Sequence, residues 1–131
     1  MQEQRQVVDV VVKAAKPRLF VFVLMDKFTM LSFASALESL RIANRMANRT
    51  IYSWRLISET GEPVSCSAGT VFNVDGDLGE LGRDDTILIC GGIDIQTATT
   101  KRLLGWMRRE ARKGLVIGGL CTAAFALAKA G

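Results

Sequence analysis

The sequence predicts an α/β domain built on a parallel, doubly wound sheet. Continuous apolar runs of strand length at residues 19–25 (LFVFVLM) and 86–90 (TILIC) have the pattern of strands buried on both faces. Stretches of helical period alternate with these runs. Glycine-containing turns separate the two kinds of segment, at Gly61, at Gly91-Gly92 and at Gly118-Gly119. Strand and helix in alternation imply right-handed crossovers between parallel strands.

Residues 1–18 read as an N-terminal extension, with a strand-like stretch at 7–12 interrupted by Asp9 and closed by Pro17. The first buried strand is residues 19–25. Asp26-Lys27-Phe28-Thr29 is its turn, and Thr29 is placed to N-cap the helix that follows. Apolar residues at Met30, Phe33, Ala34, Leu37, Leu40 and Ala43 give that helix, residues 30–46, one inward stripe, and Asn48 is a suitable stop. Residues 52–58 (YSWRLIS) alternate as a second strand. Residues 64–67 and 70–74 flank Ala68-Gly69 as a short hairpin or a pair of edge strands, and 75–85 is a polar loop.

After the strand at 86–90, Gln96 or Thr97 opens a helix to about Lys113, with Leu103, Leu104, Met107 and Ala111 inward and Gly114 just past its end. Residues 115–119 are the next strand. Gly118-Gly119 make a tight turn, Cys121 sits at the bend, and residues 123–130 form the last helix. No strand follows, so the domain is expected to be incomplete at its C-terminus.

Composition narrows the chemistry. The chain has 131 residues, one domain's worth. A mean hydropathy of +0.22 is apolar for that length and implies either a large core or surface that expects a partner. The apolar runs are far too short to span a membrane, and the polar head, residues 1–6, lacks a signal-peptide core, so a cytoplasmic protein is expected. Three cysteines without short spacing fit free thiols in a reducing compartment. With no histidine, His-based zinc sites and Ser–His or Cys–His pairs are excluded within the chain, and no metal or cofactor is expected. The net charge of +4 is concentrated in Lys101, Arg102, Arg108, Arg109, Arg112 and Lys113, which read as the solvated side of one helix, not a nucleic-acid surface.

Two elements converge at the strand carboxyl ends, where ligands of α/β sheets bind. Gly91-Gly92 can present backbone N–H groups to an anion or carbonyl oxygen. Cys121, on a strand-to-helix bend, has the layout of a nucleophile elbow. Its spacing fits a reactive thiol and a small pocket-lining residue equally. No base is evident: Glu38 is mid-helix, Glu110 lies on a basic helix face, and Asp26 is the only acid close after the first strand. Cys90 and Cys66 read as packing residues, and Trp54 and Trp106 as core or interface anchors.

Residues 20–25, the helix segment 30–44 (MLSFASALESLRIAN), 52–56 (YSWRL), 89–92 (ICGG) and 119–128 (GLCTAAFALA) form an ordered series. It resembles the N-terminal, class I glutamine amidotransferase-like (PfpI-type) domain of GlxA-family, AraC-type transcriptional regulators. The resemblance implies a flavodoxin-like sheet with helices on both faces over residues 19–131. It implies a homodimeric, ligand-sensing module followed, in relatives, by a C-terminal AraC-type domain with helix-turn-helix units that binds DNA. Nothing in this sequence corresponds to that domain. Effectors of relatives are betaine-, carnitine- or amino-acid-like compounds. A small metabolite is expected between Gly91, Gly92, Cys121, Thr122 and Thr29.

Enzymatic branches of the superfamily combine the elbow cysteine with a histidine and a glutamate after the first strand. Cys121 matches, but the turn reads Asp26-Lys27-Phe28-Thr29-Met30 without the glutamate. A sensor is therefore expected and not an enzyme; a cysteine-dependent hydrolase, deglycase or glyoxalase is the alternative.

Overall fold

The computed structural model describes residues 16–131, so the strand-like stretch at 7–12 and most of the expected extension lie outside the described residues. In chain order the elements are β1 (Arg18–Leu24), α1 (Met30–Ala47), β2 (Tyr52–Ile57), β3 (Val64–Ser65), β4 (Val71–Phe72) and β5 (Thr86–Cys90). They continue with α2 (Ile95–Ala98), α3 (Lys101–Arg112), β6 (Val116–Leu120), a 3-10 turn (Cys121–Ala123) and α4 (Ala124–Ala130). The apolar runs form a four-stranded, all-parallel sheet in the order β2-β1-β5-β6. The hairpin β3–β4 is a separate antiparallel pair.

Alternation along β1 explains why both faces are covered. Val21 and Val23 join Ile57, Ile87 and Ile89 on one face, under Leu103, Trp106 and Met107 of α3 and Ala126 of α4. Phe22 and Leu24 point the other way and meet Phe33, Leu37 and Leu40 of α1 together with Val64 and Phe72 of the hairpin. Val21, Phe22, Ile87 and Ile89 are wholly buried; each such side chain stabilises by about 1.5–3 kcal/mol. Phe22, Phe28, Phe33 and Phe72 pack edge-to-face with centroids 5.1 to 6.0 Å apart, which fixes the start of α1 against the hairpin. Helices on both faces of a parallel sheet make this the flavodoxin-like arrangement.

Several elements depart from expectation. The helix expected from residue 96 to 113 is broken into α2 and α3 at Thr99-Thr100. The Thr100 hydroxyl accepts from Leu103 N (3.1 Å) and starts a new helix, while Thr99 closes the old one on Ile95 O (2.6 Å). On α3 the inward stripe includes Trp106 and Glu110 in place of Ala111, which is exposed. The indole sets the rotation: it is buried and donates to Gly79 O at 2.8 Å. Glu110 is thereby carried inside, against the expectation of a solvated residue, and Lys113 Nζ answers its carboxylate at 3.1 Å. Met30 is 40% exposed, because α1 first reaches the sheet through Phe33. Its other end is held by Asn44, whose side chain accepts from Ile51 N and Tyr52 N and donates to Tyr52 O, each at 2.9 Å. Asn48 ends the helix in the left-handed region, φ +53°.

The last strand also shifts. Gly118 and Gly119 lie inside β6, opposite Leu88 and Ile89, and do not form the expected turn. A β-carbon on Gly119 would stand 2.8 Å from Leu127 Cδ1, so the glycine lets α4 close onto its own strand.

A β-carbon on Gly92 would overlap the Lys27 carbonyl oxygen and crowd the Phe28 and Thr29 backbone. The substitution Gly92→Ala is therefore expected to destabilise by about 1–3 kcal/mol or more. Gly105→Ala, on α3 with its nearest neighbour 3.7 Å away, is expected to stabilise by about 0.5–1 kcal/mol. Urea unfolding of the two variants beside the parent checks both signs.

Candidate functional site

At the carboxyl ends of the strands, one turn is threaded through another. Thr29 N donates to Gly91 O (3.0 Å) and Ile93 N to Lys27 O (3.2 Å), so the segment leaving β1 crosses the segment leaving β5 in antiparallel fashion. Gly91 N in turn donates to Leu120 O at 3.4 Å, tying in the end of β6. The glycine pair is buried and is used for close packing. The expected open array of glycine N–H groups is thus corrected at Gly91: its N–H is spent on the backbone, and a β-carbon there would stand 2.7 Å from Ala123 N.

Cys121 sits at the head of the 3-10 turn with φ +55°. The bend is made by the cysteine itself, at a cost of about 1–3 kcal/mol for a non-glycine residue. The thiol is exposed, and the Thr29 hydroxyl lies 3.4 Å from its sulfur, with either atom able to donate. Thr29 caps α1 by backbone conformation alone and makes no side-chain cap bond, which leaves the hydroxyl for the sulfur. The next residue, Thr122, donates its hydroxyl to Gly92 O at 2.6 Å. Thr29, Gly91, Gly92, Cys121 and Thr122 thus form one connected cluster.

Among the described residues, the hydrogen-bonding side chain at the Cys121 sulfur is a hydroxyl, neither a carboxylate nor an imidazole. A threonine hydroxyl cannot act as a general base near neutral pH. The constellation offers an exposed sulfur, two hydroxyls and a rigid backbone floor, which suit contact with a ligand better than activation of a nucleophile. Asp26 is exposed and faces a neighbouring cleft.

That cleft was not visible in the sequence. It measures about 730 Å³ and lies over the ends of β1 and β2, between β3 and α2. Neither Cys121, Thr122 nor Thr29 lines it. Lys27 and Asp94 do, joined by a 2.8 Å ion pair, and both hold left-handed backbones, φ +59° and +54°. The hydrogen bond to Asp94, and its charge, raise the Lys27 pKa above the ordinary lysine value and keep the ammonium charged. No pattern signals this pair, since its members are 67 residues apart and meet only through the crossed turns.

The chain was compared with known proteins. The DJ-1/PfpI family profile matches residues 18–131. The chain is 36% identical over 115 residues to the HTH-type transcriptional regulator GbdR of Pseudomonas aeruginosa, covering 88% of this chain and 31% of that protein. It is 37% identical over 112 residues to the HTH-type transcriptional regulator GlxA of Rhizobium meliloti, covering 84% and 34%. The crystal structure of an AraC family transcriptional regulator from Pseudomonas putida superposes with a TM-score of 0.72 at 25% identity, covering 87% of this chain and 61% of that one. The chain spans about a third of the length of these curated relatives. That they are regulators supports a non-enzymatic role.

The thiols differ in accessibility, and burial pushes Cys90 up to about 12. Iodoacetamide is expected to label Cys121 in the native protein, and the buried Cys66 and Cys90 only after unfolding; peptide mass mapping reads the order. Unfolded cysteine ionises near about 8.5. The stabilisation from keeping Cys90 neutral is therefore complete below that pH and lost as pH rises toward about 12. Cys90→Ala should flatten this alkaline limb in thermal melts.

Proposed function

The chain belongs to the DJ-1/PfpI family, and from that premise we propose that it is the ligand-sensing and dimerising domain of an AraC-type transcriptional regulator. The observation that carries the reading is the alignment along most of the chain with HTH-type regulators, joined to an exposed elbow thiol whose side-chain partner is a threonine hydroxyl. The effector is a small metabolite of the betaine, carnitine or amino-acid type, seated against Cys121, Thr122 and Thr29, with Gly91 and Gly92 as the floor behind them. The cysteine is a contact surface in this reading. DNA is bound through a helix-turn-helix domain, and the protein works in the cytoplasm. No helix among the described residues is long and apolar enough to cross a membrane.

Dimerisation runs through the outer face of α1. Leu31, Ile42 and Met46 are 77%, 48% and 82% exposed, and their spacing places them along one side of the helix. A second copy would cover that stripe.

Calorimetry of the intact protein against quaternary amines and amino acids is expected to find a binder whose affinity falls with Thr122→Val and survives Cys121→Ser. No binder in that panel would remove the effector class. Cys121-dependent turnover of methylglyoxal or an amide would establish the enzymatic alternative instead. Sedimentation should show a dimer that Ile42→Glu with Met46→Glu converts to a folded monomer; a monomeric parent protein would overturn the dimer.

A further inference from the structure

The 730 Å³ cleft beside the elbow is within the size range of small-molecule sites, roughly 300–1,000 Å³. Its base is apolar: Val23, Leu24, Met25, Val64 and Leu103 are all buried side chains that line it. Its rim is strongly charged. Asp26, Glu59, Glu62 and Asp94 contribute carboxylates, and Lys27 the one ammonium. An apolar base under a carboxylate rim selects by sign and by shape together.

We propose that this cleft is a binding site for a small organic cation, an ammonium carrying short alkyl groups, separate from the Cys121 cluster. The alkyl groups sit on the apolar base, and the ammonium faces the rim. Glu59 is the best-prepared acceptor. The Thr100 hydroxyl donates to one of its oxygens at 2.8 Å and holds the carboxylate at the wall. One such bond uses a fraction of a carboxylate's acceptor capacity. Asp94 is engaged by Lys27, but that pair is about half exposed on both sides, and solvated pairs of this kind are weak. A cation can therefore take over Asp94 at small cost.

The same charges discriminate. An anion is repelled by the rim, and a neutral alcohol gains only the base. A zwitterion must place its own carboxylate on Lys27 or among like charges, so it binds more weakly than the simple cation. The proposal rests on the cleft alone, and its failure leaves the regulator reading standing.

Calorimetric titration of the intact protein with n-butylammonium and with tetramethylammonium tests it, beside n-butanol and γ-aminobutyrate. The cations are expected to bind, more weakly at high salt, and more tightly than either comparison compound. Glu59→Gln and, independently, the exposed Glu62→Gln should each weaken cation binding about fivefold, the upper range for a partly solvated pair. Lys27→Met, which releases Asp94, should strengthen it, and Cys121→Ser should leave it unchanged. Melting curves establish that each variant is folded. The proposal is overturned by any of three results: no cation binding, equal binding of n-butanol, or binding lost in Cys121→Ser but kept in both glutamine variants.

Discussion

Two backbone hydrogen bonds, Thr29 N to Gly91 O and Ile93 N to Lys27 O, hold the ligand-facing end of the domain together. They force the segments leaving β1 and β5 to cross at a distance only glycine allows, which is why position 92 has no room for a side chain. From that crossing follow the reach of Thr29 to the Cys121 sulfur, the anchoring of Thr122 on Gly92, and the meeting of Lys27 with Asp94. The crossing also divides the surface. The elbow cluster lies on one side and the carboxylate-rimmed cleft on the other.

The two faces of the sheet serve this end differently. The face under α3 and α4 is aliphatic around one deeply buried indole. The face under α1 is dominated by phenylalanines in edge-to-face contact, and Phe28 belongs to the crossing turn itself. Anything that moves the turn must disturb that aromatic cluster, so the turn is as rigid as the core. Three non-glycine residues with left-handed backbones, Lys27, Asp94 and Cys121, follow three adjacent strands, β1, β5 and β6. Strain of this kind persists only where its surroundings over-determine it.

Much of the fold was legible because burial writes itself into sequence. The runs at residues 19–25 and 86–90 could only be strands covered on both sides, and Asn48 and Gly114 marked helix ends by the conformations they tolerate. What failed had local causes. Thr99-Thr100 carries no glycine or proline, so a hydroxyl that caps a second helix looked like the interior of one. Gly118-Gly119 suggested a turn, yet the glycines are there to admit α4, and Cys121 bends in their place. Glu110 reads as solvent-facing by charge, and Trp106 beside it decides otherwise. The elbow cluster could be assembled from sequence since each member ends a strand or opens a helix. The cleft could not, since its rim is gathered from four separate connections and no residue in it is unusual by itself.

Asn44 gives α1 a mechanical character. Its three side-chain hydrogen bonds fasten the helix near its C-terminus to the start of β2, and Thr29 fastens the N-terminus to the β5 turn. An 18-residue helix is about 27 Å long. Held at both ends, it cannot fray to absorb a displacement and must tilt or slide as one strut. A shift of a fraction of an ångström at Thr29, beside the sulfur, would therefore reach Met46 with little loss.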